Sequence, residues 1–173
     1  IGLQEIDDRV GRSGRVNQMA ELGRQLGMHP AFGSFMEYDG GHYGMGILSR
    51  YPLVDVEAIR LPDGNEPRVA LKAMVRLPSG EALRVVNVHF DWVDDDGFRW
   101  AQAQRVHQAV TEGDVPTLLL GDFNDGPESR TLGLFRGSLQ EVAKPAGQRF
   151  TWPADSPTQE IDYLFVGPPA RWQ

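Results

Sequence analysis

Short apolar runs separated by turn residues dominate this sequence and favour strands over helices. The runs at residues 69–77 and 83–90 are separated by Pro78-Ser79-Gly80, which predicts an antiparallel hairpin. Four further runs predict strands, at residues 46–49, 54–61, 117–120 and 161–166. The chain is therefore expected to be rich in β-structure.

Only two stretches carry helical periodicity. Apolar residues recur at helical spacing before Gly27, which predicts a helix over residues 15–26. A second helix is predicted over residues 97–112, with Phe98, Ala103, Val106 and Val110 facing the core and Gly113 as its end. Many strands and few helices predict an α+β fold with two mostly antiparallel sheets packed face to face and helices outside. No linker divides the sequence, so residues 1–173 are interpreted as a single domain.

Composition narrows the class of protein. Hydrophobic residues make up 40% and charged residues 24%, which is typical of a soluble globular chain, and no apolar run is long enough to span a bilayer. The absence of cysteine excludes disulfides, thiolate nucleophiles and cysteine-ligated zinc. The first residues lack signal-peptide features, but the chain opens with Ile1 rather than methionine. The cytoplasm is the favoured location, with secretion as the alternative.

The net charge of −7 bears on the partners. A strongly acidic chain repels a long phosphate backbone, so nucleic acid stays a candidate substrate that the charge does not favour. A cluster of carboxylates is also what a hard cation requires. We expect a monomer.

Polar side chains stand where apolar strands end. Glu5 follows the first apolar run, His89 ends the run at 83–90, Asp122 and Asn124 follow the run at 117–120, and Asp162 lies inside the run at 161–166. Burying a carboxylate beside apolar strands is costly unless it is paired or binds a metal. Four strands with this feature predict convergence on one site at a rim of the sheets.

The segments that carry these residues resemble, in order, successive motifs of the endonuclease/exonuclease/phosphatase family. They are Leu3-Gln4-Glu5, the segment at residues 46–52, Asn87-Val88-His89, Gly121-Asp122-Phe123-Asn124 and Ile161-Asp162-Tyr163. The resemblance implies a four-layered α/β sandwich. It also implies Mg²⁺-dependent hydrolysis of a phosphate ester, with Mn²⁺ as a possible substitute and a phosphodiester favoured over a monoester. Nucleic acid, nucleotide and lipid headgroup stay open as substrates.

The resemblance also assigns roles to the residues. Glu5 corresponds to the metal-binding glutamate. His89 corresponds to a histidine that contacts the phosphate or acts as a general acid, and Asp122 to the aspartate that orients water or assists proton transfer. Asn124 would donate a hydrogen bond to the developing negative charge, and Asp162 would orient a catalytic histidine.

Two parts of the family pattern are not matched. A terminal Ser-Asp-His motif should supply the histidine that Asp162 orients, but the sequence has no Asp-His pair. A first strand with an asparagine near the metal should precede Ile1. We therefore expect an incomplete sequence that is poorly active by itself. The alternative is a non-catalytic relative that acts as a binding or interaction module.

Three further residues are weaker candidates for substrate binding. Arg68 can reach a phosphate through its guanidinium, although a surface ion pair explains it equally well. His42 lies in a predicted flexible loop, where solvation is the simpler interpretation. Trp152 precedes the Asp162 motif and is the tryptophan expected to meet substrate, whereas packing is the default for the others.

Overall fold

The computed structural model describes residues 1–172, which contain nine strands and three α-helices. The strands are β1 (Gly2–Asp8), β2 (His29–Tyr38), β3 (Gly41–Ser49), β4 (Leu53–Arg60), β5 (Val69–Arg76), β6 (Ala82–His89), β7 (Thr117–Asp122), β8 (Gln140–Glu141) and β9 (Asp162–Gly167). The helices are α1 (Gln18–Leu26), α2 (Gly97–Thr111) and α3 (Arg130–Arg136). Within this part of the chain, no helix has the length and apolar character needed to cross a membrane.

The strands form two sheets. The smaller sheet has the order β1-β3-β2 and is antiparallel throughout. The larger sheet has the order β4-β5-β6-β7-β9-β8, and within residues 1–172 its only parallel pair joins β6 to β7 through the crossover helix α2. The predicted hairpin between β5 and β6 is present, with Leu71 opposite Asn87. The predicted α+β class with mostly antiparallel sheets is confirmed.

Three buried clusters separate four layers. Apolar side chains of both sheets pack face to face between them, including Phe35, Met45, Ile47, Leu71, Val75 and Val85. The other face of the larger sheet packs against α2 and α3 through a second cluster that includes Val86, Val88, Val106, Phe123, Phe135 and Phe165. A third cluster of Ile6, Met19 and Leu48 places α1 on the outer face of the smaller sheet. The predicted four-layered sandwich is confirmed.

One glycine fixes the end of β7. Gly121 has a φ of +139°, and a Cβ at this position would lie 2.0 Å from the carbonyl oxygen of Val88 on the neighbouring strand. Only glycine adopts this backbone conformation at such close approach. The close pairing of β6 and β7 brings the following residue, Asp122, opposite His89.

The structure corrects two details of the sequence interpretation. Helix α1 begins at Gln18 rather than near residue 15, because the Asn17 side chain accepts a hydrogen bond from the backbone nitrogen of Ala20 and caps the helix. His42 does not lie in a flexible loop. It is an exposed residue of β3 that is paired with Asp8 on one side and Glu37 on the other.

Candidate active site

Three of the predicted site residues share one row across the larger sheet. His89 of β6 is directly opposite Asp122 of β7, which is directly opposite Asp162 of β9. Directly opposed residues of adjacent strands project from the same face of a sheet. Nε2 of His89 lies 3.8 Å from Oδ2 of Asp122. The row therefore places an imidazole and two carboxylates at one end of the sandwich.

Asn124 is oriented by the turn that follows β7. Its φ is +48°, in the left-handed region that asparagine tolerates better than most residues. Its backbone nitrogen donates to Oδ1 of Asp122 over 2.7 Å, and its side-chain nitrogen donates to the carbonyl oxygen of Phe90 over 2.9 Å. These two bonds fix the Asp122 carboxylate and the Asn124 amide relative to each other. The second N–H of the amide stays available to a ligand.

Glu5 reaches the site because β1 is irregular. Between Leu3 and Ile6 the register with β3 shifts by one residue, which is the pattern of a β-bulge. Glu5 has a φ of +58°, which is an unfavourable conformation for a glutamate. The bulge interrupts the alternation of the strand and leaves the Glu5 side chain at the wall of the cleft. Its negative charge contributes to raising the pKa of Asp122.

Arg68 fixes the protonation state of His89. Arg68 is buried, and its Nη1 lies 3.2 Å from Nδ1 of His89. An arginine can only donate, so Nδ1 accepts and the imidazole proton is on Nε2, on the side of Asp122. Burial, together with the charge of Arg68, lowers the pKa of His89 to about 3. His89 is therefore neutral near pH 7, and its Nε2–H can donate a hydrogen bond.

Arg68 itself is incompletely paired. It forms an ion pair with Glu66 at 3.2 Å, but its buried Nε has no hydrogen-bond partner among residues 1–172. Burying a charged group destabilises the fold when one of its donors makes no hydrogen bond, unless a ligand supplies the missing acceptor. The interpretation of Arg68 as a surface ion pair is therefore wrong, since the residue is only 2% exposed and lines the cleft.

The pKa of the Asp122 carboxyl is strongly raised. Burial, followed by the charges of Asp162 and Glu5, raises its pKa to about 7, although the hydrogen bond from Asn124 opposes this. Asp162 and Glu5 are therefore both close enough for their charges to act on Asp122. A carboxyl with a pKa near neutrality can both orient water and exchange a proton.

An open cleft of about 880 Å³ contains most of these groups. Its lining includes Glu5, Arg68, His89, Asp122, Asn124 and Trp152. Trp152 is half exposed at the rim, as are Trp92 and Tyr38. Asp162 lines a neighbouring groove with Gln4 and Lys144, and His42 lines a separate depression with Asp8 and Asp39. The cleft thus contains six of the eight predicted residues, whereas His42 lies elsewhere and Asp162, although opposite Asp122 in the sheet, lines the neighbouring groove.

The donor set suits a hard divalent cation with few protein ligands. No group of three or more His, Asp or Glu residues is arranged as a metal cage within residues 1–172. Mg²⁺ does not require such a cage, because it keeps several waters and binds through one or two carboxylates. Glu5 is exposed to the cleft, and the negative charges of Glu5 and Asp162 that act on Asp122 are what a cation would offset.

Several residues of the cleft were not predicted from the sequence, among them two arginines and a tyrosine. Arg12, Tyr43 and Arg99 all line it. Arg12 lies in a short 3₁₀ turn after β1, and its Nε and Nη2 donate to the two carboxylate oxygens of the buried Asp7 at 2.9 and 2.8 Å. Burial and the charge of Glu5 raise the pKa of Tyr43 to about 12. The sequence signal for Arg12 was Asp7, a carboxylate next to the apolar Ile6 that needs a buried partner.

Comparison with known proteins identifies the family. The profile of the Endonuclease/Exonuclease/phosphatase family matches residues 1–171. Over 143 residues the chain is 32% identical to the uncharacterized protein YbhP of Escherichia coli, an alignment that covers 79% of this chain and 56% of YbhP. The chain therefore spans just over half the length of the curated relatives that it matches.

Solved structures show the same architecture. A conserved protein of unknown function from Enterococcus faecalis is 25% identical, with a TM-score of 0.74, and the match covers 95% of this chain and 71% of that one. The catalytic domain of human Nocturnin, solved with a bound sulfate anion, is 22% identical with a TM-score of 0.67, covering 84% of this chain and 63% of that one. The chain belongs to the endonuclease/exonuclease/phosphatase family.

Proposed function

We propose that the full-length protein hydrolyses a phosphate ester, with Mg²⁺ as cofactor and a phosphodiester as the favoured substrate. The observation that carries this proposal is the shared cleft of Arg68, His89, Asp122, Asn124 and Glu5. It combines buried cationic and neutral donors with a carboxylate of raised pKa. Family membership supports the same class of reaction.

Arg68 and His89 are suited to bind the phosphate. Arg68 and His89 both line the cleft, where the guanidinium and the Nε2–H of the imidazole are the donors. Hydrogen bonds from a cationic donor to phosphate oxygens are stronger than neutral ones, and burial strengthens them further. Because His89 is neutral, its expected role is to contact a phosphate oxygen rather than to act as an imidazolium acid.

Asp122 and Asn124 are suited to the attacking water and the developing charge. Oδ1 of Asp122 accepts from the backbone of Asn124, which leaves Oδ2 to orient a water molecule. With a pKa near 7, the carboxyl can accept a proton from that water at neutral pH. The free amide N–H of Asn124 can donate to oxygens that gain negative charge in the transition state.

Glu5 is the residue we expect to hold the cation. Mg²⁺, or Mn²⁺ as its substitute, supplies charge neutralisation on the phosphate oxygens when bound. Glu5 is exposed to the cleft, and the bulge in β1 holds it there at the expense of an unfavourable φ. Strained residues of this kind are concentrated at functional sites.

The exposed rings at the rim of the cleft and the net charge of the chain limit the class of substrate. The exposed rings of Trp92 and Trp152 at the rim offer planar apolar surface to an organic group attached to the phosphate. The acidic chain disfavours a long polyanion such as duplex DNA. We therefore favour a small phosphodiester, a nucleotide or a lipid headgroup over a nucleic-acid polymer.

The test is hydrolysis of bis(4-nitrophenyl) phosphate by the full-length protein, with Mg²⁺ and with a chelator. We expect activity with Mg²⁺ only, and a loss of about 10²–10⁴-fold in kcat for Asp122→Ala and for Glu5→Ala. Arg130→Met, at an ion pair with Asp96 outside the cleft, serves as the control and retains activity. Full activity in the presence of chelator would rule out the metal-dependent proposal.

A second candidate function is a non-catalytic binding module. The observation that favours it is that His89 is the only histidine lining the cleft in the described part of the chain, and it is already bonded to Arg68. Under this alternative the full-length protein binds a phosphate ester but does not hydrolyse it with Mg²⁺ or with Mn²⁺. Hydrolysis by the unmodified protein that is lost in Asp122→Ala would exclude the binding-module function.

A further inference from the structure

Arg12 is a cation held in a fixed orientation at the wall of the cleft. Its Nε and Nη2 are bonded to both oxygens of Asp7, which is only 4% exposed. Its guanidinium carbon lies 4.9 Å from the ring centre of Tyr38 and 4.8 Å from that of Tyr43. One edge and the plane of the guanidinium are therefore both fixed, which reduces the entropy that binding a ligand would cost.

A second edge of the same guanidinium, formed by Nη1 and Nη2, is bonded to no carboxylate among the described residues and lies beside the Tyr43 hydroxyl. A guanidinium has five N–H groups, and Asp7 uses the two donors of the Nε–Nη2 edge. The Arg12 side chain is 48% exposed even though it is paired with a buried carboxylate, and it lines the cleft. The edge formed by Nη1 and Nη2 can therefore bind an anion through two parallel hydrogen bonds.

The backbone beneath Arg12 is fixed as well. Its nitrogen donates to Oδ2 of Asp39, in the turn between β2 and β3, over 3.0 Å. The preceding Gly11 donates to the carbonyl oxygen of Asp39, and a Cβ on Gly11 would lie 2.3 Å from Oδ2 of Asp39. A larger residue at position 11 would break this contact. Side-chain and backbone contacts thus both position Arg12.

The other two arginines of the cleft are occupied differently. Arg68 is bonded to His89 and Glu66 at the floor of the larger sheet. Arg99 donates to the backbone oxygens of Asp91 and Val93 and is only 7% exposed. Arg12 follows β1 of the smaller sheet, so it stands on a different wall from Arg68. Of the three arginines that line the cleft in the described residues, Arg12 is the one that is both oriented and accessible.

We infer that Arg12 binds a second anionic group of the substrate, separate from the phosphate at Arg68 and His89. This inference rests on the proposed function and narrows its substrate class to phosphate esters that carry a further phosphate or carboxylate. The Asp7–Arg12 pair acts as a specificity element, because a substrate without the second anion leaves the Nη1–Nη2 edge of the guanidinium unbound. Tyr43, which contacts both Arg12 and Glu5, connects this subsite to the reaction centre.

The test measures equilibrium binding of inorganic pyrophosphate and of orthophosphate to the full-length protein in a chelating buffer, by calorimetry. The unmodified protein is expected to prefer pyrophosphate, which carries two linked anionic groups. Arg12→Met is expected to weaken pyrophosphate binding about tenfold or more, which corresponds to the loss of a charge-assisted contact, and to remove the preference.

A matched control exists outside the cleft lining. Arg130 donates from Nε and Nη2 to both oxygens of Asp96 at 2.8 and 2.7 Å, stacks 4.8 Å from the ring centre of Trp100, and is 49% exposed, but it does not line the cleft. Arg130→Met is expected to bind pyrophosphate as the unmodified protein does. If Arg12→Met fails to fold, Arg12→Lys takes its place, since it keeps a charge for Asp7 but has no planar fork.

Three results would overturn the inference: no preference for pyrophosphate in the unmodified protein, unchanged affinity in the Arg12 variant, or an equal loss in Arg130→Met. Because the assay contains no metal and follows no turnover, it can fail while Mg²⁺-dependent hydrolysis succeeds. Equally, a protein without hydrolytic activity can still show the anion preference. The two proposals are therefore tested separately.

Discussion

Replacing Asp122 with asparagine should stabilise the metal-free protein while it removes activity. Burial raises the pKa of this carboxyl from 3.8 to about 7. Above pH 7 the folded state therefore contains an ionised carboxylate in a site that favours the protonated form. At about 1.4 kcal/mol per pH unit between the two values, the cost to folding is about 4 kcal/mol as an upper bound. The side chain is 21% exposed, and solvent screens part of this cost. We expect Asp122→Asn to gain about 2 kcal/mol.

The size of this effect depends on pH. Because the folded-state pKa lies above the unfolded value of 3.8, the favourable contribution of Asp122 is complete below pH 3.8 and is lost as the pH rises towards 7. Asparagine is neutral throughout and can still accept the hydrogen bond from the backbone of Asn124. The stabilisation should therefore be absent near pH 4 and full at pH 8.

Thermal unfolding in a chelating buffer provides the assay. For a chain of this size, 2 kcal/mol corresponds to a rise of about 4–8 °C in Tm at pH 8. The control is Asp114→Asn, where an exposed carboxylate bonded to Arg171 has a lowered pKa, so the same substitution is expected to be slightly destabilising at that pH. A lower Tm for Asp122→Asn than for the unmodified protein at pH 8 would refute the reasoning.

Three other perturbations have defined outcomes. Gly121→Ala should cost about 3 kcal/mol or more in the free energy of unfolding, measured by urea denaturation, because its Cβ would meet the carbonyl oxygen of Val88 at 2.0 Å; a change below 1 kcal/mol would contradict the close approach. Phe123→Ala should cost about 3–5 kcal/mol by the same method, because the ring is fully buried and packs against Phe90 and Phe135, whereas Phe98→Ala, at an exposed ring, should cost little. Arg68→Met should raise the KM for a phosphodiester and also raise the pKa of His89, which is followed by NMR titration, because the Arg68 charge helps to lower that pKa; an unchanged titration would contradict the contact.

The sequence predicted the elements whose signal is local. The hairpin of β5 and β6 and the helix at residues 97–112 were predicted because turn residues and periodicity lie within each segment. Helix α3 was missed because seven residues are too few to show a helical period. Phe98 was expected to face the core, but it is exposed in the first turn of α2.

The site was predictable only in part, for a similar reason. Polar residues that end apolar strands are visible in the sequence, and the structure places Glu5, His89, Asp122 and Asn124 in one cleft, while their catalytic roles stay predictions. The β1 bulge at Glu5 depends on register with β3, which no local pattern encodes. Arg12 reaches the cleft only because Asp7 and the two tyrosines lie together in the folded sheet.

The most direct test of the central claim is a double-mutant cycle on Glu5 and Asp122 in the full-length protein. The measurement is kcat/KM for bis(4-nitrophenyl) phosphate with Mg²⁺, for the unmodified protein, Glu5→Ala, Asp122→Ala and the double variant. If the two carboxylates serve one catalytic centre, the double variant should be about as impaired as the worse single variant. Losses that multiply, or a single variant that keeps full activity, would contradict a shared centre.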